Sequence, residues 1–173
     1  MKLHTLELKS SSNKEIKISG YASVFGQADY HNDIISPGAF ADSIVKHYQG
    51  FTIKLLWQHD HAKPIGVIKN LKEDHKGLLV EASINKDVSQ ADEIVSLIRQ
   101  GAIDSFSIGF NIEKSKMNEA GQREILKADL WEVSLVTFPA NRDSKIYQIH
   151  SRPQEWENVS QLLSIKSKTI FKL

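Results

Sequence analysis

The chain contains no cysteine, which removes disulfides, thiolate metal sites and a cysteine nucleophile. A surplus of either charge is missing too: 22 Lys and Arg stand against 21 Asp and Glu, a formal net charge of +1. Without a basic run there is no electrostatic footprint that would make nucleic-acid binding the main business. No apolar run approaches the roughly 20 residues that a membrane-crossing helix needs. The opening MKLHTLELKS alternates apolar and polar residues and holds no signal-peptide core. Internal repeats and low-complexity segments are lacking as well. The expectation is a soluble, intracellular chain. Its 173 residues, 40% hydrophobic and 25% charged, suit one globular domain with a sizeable core.

What is present reads mostly as strand. KSSSNKE is a turn, and EIKISGYASVFG alternates as a strand in which Gly20 marks a bulge or a close approach. QADYHNDIISPGAF is loop chemistry ending in Ser36 as an N-cap and Pro37 at a first helical position, so a helix is expected over 38–49. FTIKLLWQHD returns to strand. PIGVIKNL and LLVEASI flank the turn KEDHKG as a hairpin. SQADEIVSLIRQ carries apolar residues at helical spacing, with Gly101 just beyond, which predicts a helix over 89–100. IDSFSIGFNIEK and REILKADLWEVSLVTF follow as strands around a polar turn at NEAGQ, and PQEWENVSQLLSI reads as a third helix started by Pro153. Strands joined by short turns and outnumbering helices indicate an α+β chain, a barrel or curled sheet flanked by helices. The expected division is a main domain over 1–150 and a C-terminal helix and tail over 151–173.

Three residues sit oddly in this pattern. Glu132 interrupts the apolar strand DLWEVSLVTF, where an ionised carboxylate is expensive unless a partner meets it. In IDSFSIGF, strand parity puts Phe106, Ile108 and Phe110 on one face, and Ser105, Ser107, Gly109 and Asn111 on the other, small and polar. His59 continues the parity of Phe51, Ile53, Leu55 and Trp57 as its strand ends, a placement that suits a general base. Each oddity has a bland counterpart: a solvent-facing edge, a core histidine bonded to backbone, an edge-strand carboxylate. Together they are the parts of a triad, since a serine hydroxyl needs a base and the base needs an orienting group. No GxSxG elbow accompanies them. His59 and His61, with Asp29, His31 and Asp33, also compose a metal-ligating set, although those acidic residues serve equally as turn formers.

GYASVFG, HNDIISPGAF, LLWQHDHAKPIGVI, GAIDSFSIGF and LWEVSLVTFPAN, in this order between Gly20 and Ser144, resemble the prohead maturation serine proteases of tailed bacteriophages. That family is related in fold to the herpesvirus capsid-assembly proteases, so the resemblance implies a small antiparallel β-barrel flanked by helices. It implies His59, followed by aspartate, as general base. Ser107 in SIG would be the nucleophile, with Glu132 as orienting acid where the herpesvirus branch has a second histidine. Ser105 competes with Ser107, and His61 with His59. The loop PANRDS would supply the oxyanion-hole donors around Ala140, Asn141 and Arg142.

The implied activity is an endopeptidase acting without cofactor or metal inside the assembling prohead in the host cytoplasm. Its substrates would be scaffold and major capsid protein segments, with self-cleavage in the C-terminal tail. A homodimer is implied by the herpesvirus relatives. Neither a nucleic acid nor a membrane is required. Two rival readings stay open: a metal-dependent hydrolase built on His59 and His61, and a catalytically silent assembly factor of the same fold.

Overall fold

The computed structural model describes residues 15–150; the N-terminal alternating stretch and the third helix expected from Pro153 lie outside them. Eight strands and two helices follow one another as β1 (Glu15–Val24), β2 (Asp33–Ile35), α1 (Ala41–Tyr48), β3 (Lys54–Trp57), β4 (Asp60–Glu73), β5 (Gly77–Asn85), α2 (Ala91–Arg99), β6 (Ser105–Met117), β7 (Arg123–Val136) and β8 (Ile146–His150). No helix among the described residues is long and apolar enough to cross a membrane.

The strands form one mixed sheet in the order β2-β7-β3-β4-β5-β1-β8, with β6 paired to β7. β7 is the hub. It is antiparallel to β6 along almost its whole length, parallel to β2 at its start and parallel to β3 at its end. Alternation along β1 sends Ile16 and Ile18 into the core cluster that also holds Leu55, Leu78, Ile84 and Phe106. The sheet is open: the first residues of β6 meet the segment leading into β8 through an isolated bridge, Ser105 opposite Lys145, rather than a strand ladder. Two further hydrogen bonds cross this seam, Phe106 N to the Ser144 carbonyl at 3.0 Å and Ile146 N to the Asp104 carbonyl at 2.8 Å.

Helix α2 follows its sequence pattern. Ala91, Ile94, Val95 and Ile98 are buried on one face. Gly101, at φ 73°, ends the helix. Ala102 N donates to the Leu97 carbonyl and Gly101 N to that of Ile98, the pattern of a Schellman motif.

Helix α1 departs from its sequence pattern. It begins at Ala41 rather than 38, and Phe40 occupies the cap without a side-chain hydrogen bond. Gly38 takes φ 86°, a left-handed geometry that helical backbone does not contain. Residues 37–40 therefore turn instead of coiling, and a carboxylate from another element serves them: Glu73 of β4 accepts from Gly38 N at 2.7 Å and Phe40 N at 2.8 Å. The Ser43 hydroxyl then ties the helix to β7, donating to the Ala128 carbonyl at 3.0 Å and accepting from Leu130 N at 2.9 Å.

Gly20 is where sequence pattern and structure meet most directly. The β1–β8 register shifts between Ser19 and Gly20, and a Cβ at this position would overlap the Lys145 carbonyl. The Gly20→Ala variant is expected to lose about 1–3 kcal/mol, the usual effect of overpacking, read as a lower urea midpoint. A midpoint equal to that of the parent would show that the strands can separate without loss.

Candidate active site

A cleft opens where β1, β2, β6 and three loops converge. Its lining includes Ala22 and Ser23 of β1, Asp29, His31 and Asp33, the residues Ser107 to Phe110 of β6, His59, and Ala140 with Asn141. The β7 ladder explains this convergence. On β7, Glu132 lies opposite Gly109 of β6, and Ser134 opposite Ser107. On the β3 side the same two residues pair with Lys54 and Leu56. One strand thus sets the heights of Ser107 and of the turn that follows β3.

His59 sits in that turn, not at the end of a strand whose parity it continues, as sequence alternation suggests. Gln58 and His59 are the two residues between β3 and β4, at φ 54° and 59°, with Trp57 paired to Asp60. Both central residues are left-handed, as in a type I′ hairpin turn. Such a turn favours glycine and asparagine, and for other side chains the left-handed region is unfavourable by about 1–2 kcal/mol each. Hydrogen bonds to β7 and the loop after it hold it. Gln58 N donates to the Leu135 carbonyl at 2.9 Å. Its side-chain amide donates to the Thr137 hydroxyl at 2.9 Å and accepts from Thr137 N at 3.3 Å.

The turn delivers the imidazole to Glu132: His59 Nδ1 lies 2.6 Å from Glu132 Oε1. A carboxylate can only accept, so Nδ1 carries the proton and Nε2 is left as the basic nitrogen. The carboxylate is buried, at 4% exposure, whereas the His59 side chain is half-exposed. The hydrogen bond to Glu132 raises the His59 pKa above its ordinary value; burial opposes the shift and the carboxylate charge adds to it. Gly109 makes room for this carboxylate, since a Cβ there would overlap Glu132 Oε1. The small residue on this face of β6 thus leaves room for a carboxylate from the neighbouring strand.

The two candidate serines have different surroundings. Ser107, 4% exposed, lines the cleft with His59, and its hydroxyl meets no hydrogen-bond partner among the described residues. Ser105 is fully buried. Its hydroxyl donates to Asp104 at 2.6 Å and accepts from Lys145 Nζ at 3.0 Å, at the seam. His61 is exposed and lies outside the cleft lining. Asp60 folds back on its own backbone, accepting from Ala62 N at 2.9 Å.

Asp29, in the loop before β2, and Asp33, at the start of β2, are engaged in local structure. Asp29 Oδ1 accepts from His31 N and Asp33 N at 2.8 and 2.9 Å, and both oxygens of Asp33 grip Arg123 at 2.6 and 2.7 Å. Among the described residues no three His, Asp or Glu side chains gather as a metal-ligating group.

Ala140 and Asn141 reach the cleft. Their loop is braced by Tyr30 N donating to the Ala140 carbonyl at 3.0 Å and by Asn141 Nδ2 donating to the Val24 carbonyl at 3.1 Å. The backbone N–H groups of Ala140 and Asn141 meet no acceptor among the described residues. Arg142 turns away from the cleft: its Nε donates to the Tyr30 hydroxyl at 2.8 Å and its guanidinium lies over that ring.

Ser134 is the residue that sequence reasoning passed over. It is fully buried, donates to Glu132 Oε2 at 2.6 Å and accepts from His59 N at 3.2 Å. A signal was present: a second polar residue two positions after Glu132 shares its face of the strand.

The fold is that of the herpesvirus proteases. A superposition on the KSHV protease bound to a hexapeptide phosphonate inhibitor gives a TM-score of 0.56 over 83% of this chain and 68% of that one, at 10% identity, a likeness of fold alone. Sequence relationship narrows the class. Residues 4–160 match the model of the Caudovirus prohead serine protease family, and the chain belongs to that family. It is 37% identical over 138 residues to the prohead protease of Escherichia phage T5, covering 78% of this chain. It is 31% identical over 145 residues to that of Enterobacteria phage HK97, covering 82% of this chain. It spans 64% of the length of each of these two relatives.

The electrostatics of the pair have a measurable sign. A histidine whose folded-state pKa is raised adds stability that is fully present below its unfolded value and is lost as pH rises through the folded value. The His59 imidazole, followed by NMR, is expected to titrate above an ordinary histidine. In Glu132→Gln, with the acceptor weakened and burial remaining, its midpoint should fall to or below the ordinary value. An unmoved midpoint would sever the two groups. Gly109→Ala, which pushes the carboxylate aside, should lower the midpoint in the same direction, and an unchanged titration there would mean that Glu132 repacks freely.

Proposed function

We propose that this chain is a serine endopeptidase of phage prohead maturation, cleaving segments of the scaffold and the major capsid protein inside the assembling prohead, in the host cytoplasm. The observation that carries the reading is the 2.6 Å His59–Glu132 contact beside a cleft that Ser107 also lines, in a chain of this family. Ser107 Oγ attacks the scissile carbonyl while His59 Nε2 takes its proton and passes it to the leaving amine. Water then hydrolyses the acyl-enzyme by the same route in reverse. Glu132 fixes the Nδ1–H tautomer and stabilises the imidazolium as it forms. The N–H groups of Ala140 and Asn141 are suited to the oxyanion, being uncommitted donors beside the cleft. The Arg142 side chain, engaged with Tyr30, has no part in this; its backbone N–H remains an alternative donor.

The same reading extends to architecture. The curled sheet is read as barrel-like, bridged at the Ser105–Lys145 seam, with residues 1–150 as the protease domain and self-cleavage assigned to the C-terminal helix and tail expected over 151–173. A homodimer fits the likeness to the herpesvirus fold, and the chemistry calls for no cofactor, metal, nucleic acid or membrane.

The test is co-expression with the cognate scaffold and capsid proteins, followed by intact mass. Ser107→Ala and His59→Ala are expected to lower cleavage by about a thousandfold or more, and Glu132→Ala by about a hundredfold or more. Ser105→Ala should keep the chemistry and show its effect in the melting temperature. Cleavage that survives Ser107→Ala would move the nucleophile elsewhere. If it also stopped on chelation, a metal hydrolase would replace this reading, and no cleavage by the parent chain would leave an assembly factor. A wild-type tail never trimmed in the presence of processed capsid protein would remove self-cleavage.

A further inference from the structure

We propose that Ser134 is a positioning residue of this site, its single hydroxyl locking the Glu132 carboxylate to the backbone of the His59 turn. The proposal rests on the reading of His59 as general base. The hydroxyl has one proton and faces two groups. His59 N, at 3.2 Å, is an amide that can only donate, so the oxygen accepts there and its proton goes to Glu132 Oε2, at 2.6 Å. With Oε2 held in this way, Oε1 is the oxygen presented to His59 Nδ1.

Division of labour in the turn makes the role specific. The bonds from Leu135 and Thr137 all hold Gln58. The His59 backbone, itself left-handed at φ 59°, is tied to β7 by Ser134. Loss of that hydroxyl therefore frees the imidazole at both ends, through its own main chain and through its carboxylate partner. Ser134 also pairs in register with Ser107 across the β6–β7 ladder. One buried residue thus references the base, its orienter and the strand of the proposed nucleophile to a single point. A serine chosen only to pack in a fully buried position would be interchangeable with alanine.

Ser134→Ala and Ser134→Thr decide it, in the full chain, with the His59 titration by NMR and the pH dependence of kcat/KM as readouts. In the alanine variant the His59 midpoint and the acid limb of the profile should both fall towards those of an ordinary histidine. Its kcat should drop roughly 10- to 100-fold, the worth of one hydrogen bond to a charged group, with KM little changed. Threonine, which keeps the hydroxyl, should restore both. The other titratable groups around the cleft, Asp29, His31 and Asp33 across from His59 and Asp60 beside it, are the same in every variant.

An unchanged midpoint and kcat in a folded alanine variant would reduce Ser134 to packing. Should both variants fail to fold, amide exchange in the parent chain still decides: a His59 N–H exchanging as fast as an open turn amide would overturn the lock, and a protected one would support it. The NMR readouts need no substrate. A parent chain that cleaves nothing overturns the protease reading alone, and an unmoved His59 midpoint in Ser134→Ala overturns the lock alone.

Discussion

A carboxylate held inside a sheet requires its neighbours to be arranged around it, and Glu132 imposes that requirement here. Left without partners at 4% exposure it would destabilise the fold by about 3–5 kcal/mol. Three local features answer it. His59 supplies one hydrogen bond and Ser134 another, while Gly109, having no side chain, leaves the volume that the carboxylate occupies. Each feature belongs to a different stretch of sequence, and β7 brings them together by pairing with β3 on one edge and β6 on the other. The unfavourable left-handed turn at Gln58 and His59 follows from the same requirement, because it aims the imidazole back at its own neighbouring strand.

This arrangement leaves the His59 imidazole asymmetric in its surroundings. Its Nδ1 side faces a buried acceptor, whereas the ring is half-exposed towards the cleft. The field of the carboxylate is therefore little screened by water, and the remaining nitrogen stays accessible to a reacting group. Its raised pKa makes the imidazole more basic and at the same time protonates more of it in acid. Stability and the proposed reactivity consequently respond oppositely to acid over that window: the ion pair is complete below the ordinary histidine value, where the imidazole that would act as base is protonated.

Much of the scaffold was legible because period-2 and period-3.6 patterns record burial directly. The alternation in β1, the apolar face of α2 and the glycine after it all read correctly, and Gly20 carried its close approach in being a glycine within a strand. What could not be read was conformation chosen by distant partners. Nothing in WQHD marks a left-handed turn, since its usual Asn or Gly is absent and the bonds that hold it come from residues 134–137. Likewise Ser36 and Pro37 announced a helix that Gly38 defers, with the capping carboxylate arriving from Glu73. The glutamate was conspicuous from sequence by being out of place, but the serine two residues later was not, because serine is unremarkable in a strand until its burial is known.

The serines of this site show how little residue type decides. Ser105 and Ser107 share a strand and a parity, yet the first has its proton committed to Asp104 and its lone pair to Lys145. Its hydroxyl fastens the seam where β6 meets the segment before β8, and any base would have to displace an ion pair to reach it. Ser134 is equally committed, between a carboxylate and an amide. A nucleophile must instead be free of competing acceptors and face a space that a substrate can enter. Ser107 meets both conditions, with its backbone set by the same ladder that places Glu132. The proposed reactivity thus comes from the register of one strand pair, which commits one hydroxyl to structure and leaves another free at the cleft.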